Sequence, residues 1–78
     1  MKVIIGKAVY GMNRKQLRGV LKIASGLIPF GIYAVQKGDV CELRKDKFDN
    51  AEELKKAVGV YKEKGFKAYY NEQGGARL

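Results

Sequence analysis

The chain has no histidine and no tryptophan, and its 78 residues include one cysteine and one proline. Threonine is absent too, and Ser25 is the one serine. Without histidine, a hydroxyl or thiol nucleophile lacks its usual base, which excludes the common Ser–His and Cys–His arrangements. A zinc site lacks its nitrogen ligands and a second thiolate. The lone Cys41 forms no intrachain disulfide, and its apolar setting marks it as a small buried hydrophobe. Glu52 and Glu53 are adjacent on a helix and point apart, so they form no glycosidase pair. No glycine-rich phosphate loop occurs. The expectation is a protein that is not an enzyme and that holds no metal and no cofactor.

Long apolar runs are missing as well. No stretch approaches the ~20 residues that span a bilayer. Residues 1–5 are too short for a signal-peptide core, and Gly6-Lys7 interrupts them. As written, the chain is expected to be cytoplasmic when made. Its length allows one small domain, with a stability on the order of 5 kcal/mol. A homodimer is neither required nor forbidden.

Negative charge is withheld from one half. The first 38 residues carry seven lysines and arginines and no acid. The remaining forty carry nine cations and eight acids, so nearly all of the net charge of +8 lies in the first half. An uncompensated positive field concentrates anions beside it.

What is present reads as one βαβ unit written twice, over residues 2–37 and 39–72. Residues 2–10 are rich in strand formers. Asn13 is placed to cap a helix, along which Leu17, Val20, Leu21 and Ala24 follow the spacing of one buried face. Gly26 stops that helix, Pro29 bars its continuation, and residues 30–37 form the next strand. Gly38-Asp39 turns into a third strand over Val40–Lys45. Asn50 caps the second helix, with Glu53 three residues on. Leu54, Ala57, Val58 and Tyr61 repeat the apolar stripe at a constant offset of 37, as the caps do. Gly65 ends this helix, residues 66–71 form a fourth strand, and residues 73–78 a loose tail.

Two βαβ units with right-handed crossovers close into an α+β sandwich, βαββαβ, of the ferredoxin-like or RNA-recognition-like kind. Its expected form is a four-stranded antiparallel sheet with both helices on one face and the other face open. On the first helix Arg14, Arg18 and Lys22 form a row spaced by four, with Lys15 beside it. No acid interleaves with the row, whereas on the second helix Glu52 can pair with Lys56. On the sheet, alternation places Lys67 and Tyr69 outward with Tyr33, and Arg44 of the third strand joins them. Tyrosine beside a cation on an open sheet suits stacking on sugar rings or bases, together with anion contact.

The segment from Phe48-Asp49-Asn50-Ala51-Glu52-Glu53-Leu54 to Lys64-Gly65-Phe66-Lys67-Ala68-Tyr69-Tyr70 resembles half of a sporulation-related repeat (SPOR) domain. It is also similar to the cell-wall-targeting modules at the C-terminal ends of some phage and bacillar amidases. Gly31-Ile32-Tyr33-Ala34-Val35-Gln36 resembles the strand preceding such a half, and the first repeat follows the family in outline. The resemblance implies a non-catalytic module that binds peptidoglycan and anionic wall polymer, as in the targeting domain of a lysin or amidase. Tyr33, Arg44, Lys67 and Tyr69 would then sit at the glycan. Two other readings stay open. One is a small basic nucleic-acid-binding protein, for instance a phage-encoded one, whose cation row meets phosphates. The other is an inhibitor that docks on an acidic host protein.

Overall fold

Residues 2–10 are two strands rather than one. In the computed structural model, which describes residues 1–72, Lys2–Ile5 (β1) pairs antiparallel with Ala8–Gly11 (β2). Gly6-Lys7 makes the two-residue turn, with Gly6 at φ +63°. A positive φ at the first turn position alone is the type II′ pattern, which matches the twist of a hairpin and strongly favours glycine. Gly38-Asp39 does the same, with Gly38 at φ +62°. The tail expected at residues 73–78 lies outside the described residues.

Helix α1 (Arg14–Leu27) follows, then β3 (Ile32–Lys37), β4 (Val40–Lys45), helix α2 (Ala51–Glu63) and β5 (Lys67–Tyr70). Both caps form where the sequence places them. Asn13 Oδ1 accepts from Gln16 N at 2.8 Å, and Asn50 Oδ1 accepts from Glu53 N at 3.1 Å. In α1 the box is reciprocal, since Asn13 N donates to Gln16 Oε1 at 2.9 Å.

The sheet has five strands in the order β2-β1-β4-β3-β5. β1 and β4 run parallel and every other neighbouring pair is antiparallel. This corrects the expected four-stranded antiparallel sheet with both helices on one face; the architecture is α+β with a mixed sheet. The cause is the reversal at Gly6-Lys7. It makes β2, not β1, the strand that feeds α1, so the crossover units are β2-α1-β3 and β4-α2-β5. Both units step across the sheet in the same lateral direction, but their strands run in opposite senses. Right-handed crossovers then place their helices on opposite faces.

The two cores confirm that placement. On one face Leu17 and Leu21 of α1 pack with Val3, Ile32, Ala34, Cys41 and Tyr69. On the other, Leu54 and Val58 of α2 pack with Tyr33 and Val35, ringed by Phe48, Tyr61 and Phe66. Alternate residues of β3 serve alternate cores, and residues 31–35 are all buried. The join of α1 to β3 depends on Gly31. A Cβ there would collide with Ile28 Cγ2 and lie 2.6 Å from the Asp46 carbonyl oxygen. That approach lets Asp46 N donate to Gly31 O at 2.8 Å and ties the α1–β3 loop to the end of β4.

Candidate anion-binding site

α1 presents its buried face to β3 and β5 and turns its cationic flank outward. Arg14, Lys15, Arg18 and Lys22 are all exposed. Among the described residues none of the four makes an ion pair; the pairs there are Met1 N–Asp39, Arg44–Glu42 and Lys55–Glu72. The first turn of α1 holds no acid and its last turn no base, whereas α2 has Glu52 and Glu53 at its start and Lys62 at its end. A helix N-terminus carries partial positive charge, so a cation in the first turn costs about 0.3–1 kcal/mol at low salt. α2 follows its dipole. Arg14 and Lys15 oppose theirs.

Among the four, Arg18 makes a contact with a ring of the sheet. Its guanidinium carbon sits 5.8 Å from the centre of the Tyr69 ring, a cation–π distance. Beyond it, α1 and the end of β5 border an open cleft of about 370 Å³. Arg18, Leu21 and Lys22 form one wall, while Tyr69, Tyr70, Asn71 and Glu72 line the remainder. The Glu72 carboxylate is held by the Tyr70 hydroxyl, which donates to it at 3.2 Å, and by Lys55 Nζ at 3.7 Å.

The expected tyrosine surface does not form. Tyr33 is 2% exposed and Tyr69 is 7% exposed. The β3–β5 register pairs Tyr33 with Tyr70 and Ala34 with Tyr69, so Tyr33 and Tyr69 lie on opposite faces, each beneath a helix. Their hydroxyls are also engaged. Tyr33 donates to Asp46 Oδ2 at 2.7 Å, and Tyr69 donates to Gln36 Oε1 at 2.7 Å. Burial, reinforced by the Asp46 carboxylate, pushes the Tyr33 hydroxyl up to about 12. Neither ring is open to a sugar or a base.

Arg44 goes with Tyr33 rather than with the cation row. It pairs with Tyr33 across β3–β4, donates from Nη1 to Glu42 Oε1 at 2.9 Å, and lies 5.6 Å from the centre of the Tyr61 ring. Its charge is already answered by Glu42. Lys67 is exposed and shares the parity of Tyr69, so it lies on the α1 side of β5. The structure therefore gathers Arg14, Lys15, Arg18, Lys22 and Lys67 toward one side of the sheet and separates Tyr33 and Arg44 from them.

Cys41 is 0% exposed, and burial raises its thiol pKa, which makes it less nucleophilic. Among the described residues no three histidine, cysteine, aspartate or glutamate side chains cluster to hold a metal, and no helix is long and apolar enough to cross a membrane. Sequence reasoning missed the cleft. The available signal was the unbroken apolar run 31–35, which marks a strand covered on both faces and leaves ligands to the margins of the sheet. No family model, no curated protein and no solved structure matches the chain.

Proposed function

We propose that this chain is a non-catalytic module that binds an anionic polymer along α1, and that nucleic acid is the polymer its surface suits best. The observation behind this reading is the exposed, unpaired row Arg14, Arg18 and Lys22, with Lys15 beside it, in a helix whose own dipole disfavours part of it. At 1.5 Å rise per residue the row repeats about every 6 Å, a ladder for serial phosphates. Glycan recognition by stacked aromatics draws less support, because Tyr33 and Tyr69 are buried. An anionic wall polymer, the partner suggested by the SPOR resemblance, would meet the same row and is decided by the same experiment.

That experiment is a salt titration of binding to duplex and single-stranded oligonucleotides. Each released phosphate contact adds about 0.7–0.9 to the slope of log K against log salt. R14Q/R18Q/K22Q is expected to flatten the slope by about 2–3 and to weaken binding at low salt. The control K45Q/K47Q/K56Q removes as many charges from the other half and is expected to leave the slope nearly unchanged. Purified cell walls, with and without their anionic polymers, form the second arm. Sedimentation with walls and no retention by any oligonucleotide would transfer the function to the wall. An unaltered slope in the α1 variant would remove α1 from the interface.

A further inference from the structure

We infer that the outer edge of β2 is a docking site for an extended, acidic segment of another protein, which would add to the five-stranded sheet as a further strand. The inference does not rest on the nucleic-acid reading. β2 is one margin of the sheet, and β1 is its neighbour on the inner side. The hydrogen bonds around β1 fix which way the β2 backbone points. Lys2 N donates to Asp39 O at 2.8 Å, toward β4, so Lys2 and the Gly11 opposite it do not bond to each other. Met1 and Met12 do: Met12 N donates to Met1 O at 3.0 Å, and Met1 N donates to Met12 O at 2.9 Å. In an antiparallel pair, bonded and unbonded residues alternate. Ala8, Tyr10 and Met12 therefore turn their backbone groups inward, while Val9 and Gly11 turn theirs out. The edge thus presents two N–H donors and two C=O acceptors, the ladder that an added strand completes.

Side chains and charge define the kind of strand that fits. All four β2 residues are exposed, Val9 at 63% and Tyr10 at 48%. Tyr10 stands opposite Val3, which belongs to the α1-side core, and Val9 stands opposite Ile4 on the other side of the sheet. An added strand finds one apolar neighbour on each face, which suits alternating β-branched and aromatic side chains. The ends of β2 are cationic. Lys7 precedes it, Arg14 and Lys15 follow it, and Lys2 stands opposite Gly11; all four are exposed. No acid occurs before Asp39. Asp39 and Glu42 lie beyond β1, at the start of β4 and within it, where they pair with the Met1 amino group and with Arg44. A second copy would bring the same four cations against these, and charge is one of the devices that keep sheet edges from pairing with themselves. Carboxylates flanking an extended segment reverse that sign, so the charge that discourages a second copy selects an acidic partner. The ladder itself selects protein, since a nucleic-acid strand has no alternating amide N–H and C=O groups with which to complete it.

The probe is a fluorescent synthetic peptide, Glu-Asp-Glu-Val-Thr-Val-Tyr-Val-Glu-Asp-Glu, whose binding to the full chain is read by anisotropy. One comparison peptide carries methyl groups on its central amide nitrogens, and another has lysine in place of every acid. N-methylation keeps the side chains and the charge but removes the ladder donors, so it should weaken binding about tenfold or more. The lysine-flanked peptide should bind about tenfold more weakly at low salt. Val9→Pro removes one outward N–H at an edge position where proline is tolerated, and should weaken the acidic peptide several-fold while leaving oligonucleotide binding nearly unchanged. Amide hydrogen exchange supplies a second readout on the unsubstituted protein: the Val9 and Gly11 amides should lose their fast exchange when the acidic peptide is bound. No binding of that peptide, equal binding of the N-methylated or lysine-flanked one, or unaltered exchange at Val9 and Gly11 overturns the assignment. Slow exchange at both amides in a dimer of the free chain would give the edge to a second copy, and slow exchange induced by an oligonucleotide would give it to nucleic acid; each result also overturns the proposal. None of these outcomes depends on whether the α1 row binds nucleic acid, so the two readings fail separately.

Discussion

Lys15 and Glu52 occupy the same place in two helices of similar build. Each is the second residue after an asparagine cap, and the same offset of 37 relates Leu17 to Leu54 and Leu21 to Val58 in the two cores. Up to this point the helices correspond: each has an asparagine cap and the same buried stripe. They part in the charge of the first turn, which is cationic in α1 and acidic in α2. In α2 the charges serve the helix. In α1 they oppose it and make no ion pair among the described residues, which is why the proposed function is placed there. The contrast separates what a helix needs in order to form from what it presents to another molecule.

The largest effects should fall where the helices agree. Leu17 and Leu54 are both 0% exposed, each anchoring its helix to one face of the sheet. Leu17→Ala and Leu54→Ala are each expected to lose about 2–5 kcal/mol, a large share of a stability on the order of 5 kcal/mol. Urea unfolding monitored by far-UV circular dichroism measures both. A loss below about 1 kcal/mol for Leu17 alone would mean that α1 is only loosely docked, and the comparison of equals would break.

A smaller effect belongs to the α2 layer alone. Tyr33 is buried there against Asp46, and its pKa rises from 10.0 to about 12. Tyrosine is neutral when protonated, so the folded chain keeps this proton longer than the unfolded chain does. The contribution is fully present below pH 10, falls as the pH rises from 10 to about 12, and levels off above that. On the order of 2 kcal/mol is lost across the window. Tyr33→Phe should remove this fall, as measured by urea unfolding at pH 9.5, 10.5 and 11.5. Tyr70, also raised by burial and by Glu72, titrates in both proteins, so their difference isolates Tyr33. In the α1 layer the buried tyrosine, Tyr69, donates to the neutral amide of Gln36 instead.

These two tyrosines also mark how far the sequence could be read. Caps and stripes are local, set by spacings of three and four residues, and Asn13, Asn50 and both leucine stripes stand where those spacings put them. Sheet register is not local. Period-two alternation says which residues of one strand share a face, but not which face receives a helix, nor how β5 aligns on β3. Tyr33 and Tyr69 therefore read as neighbours on an open surface and stand beneath different helices. The hairpin turned on one step of the same kind. All four β2 residues are exposed, so no burial pattern announced the strand. Gly6-Lys7 is nevertheless the same Gly-x turn as Gly38-Asp39, and its reversal reassigns every crossover after it. For the binding surface, the cation row was legible because it is written at helical spacing. The cleft was not, because Arg18 and Tyr69 come together only through the chain's path in space.

The smallest effect is the sharpest test of the contrast. Lys15 and Glu52 are exposed, and neither makes an ion pair among the described residues, so substitution alters chiefly the charge beside a helix N-terminus. Lys15→Gln removes a cation from the positive end of α1 and is expected to raise stability by a few tenths of a kcal/mol at low salt. Glu52→Gln removes an anion from the equivalent end of α2 and should lower stability by a similar amount. Both shifts should shrink at ~1 M salt, where the screening length falls to about 3 Å. Paired urea titrations at low and high salt read the two signs directly. Lys15→Gln should weaken oligonucleotide binding as it stabilises the fold, whereas Glu52→Gln, on the opposite layer, should leave binding nearly unchanged. Two shifts of the same sign would mean that the first-turn charges act through something other than the dipole. The case that α1 carries its cations against its own stability would then fail.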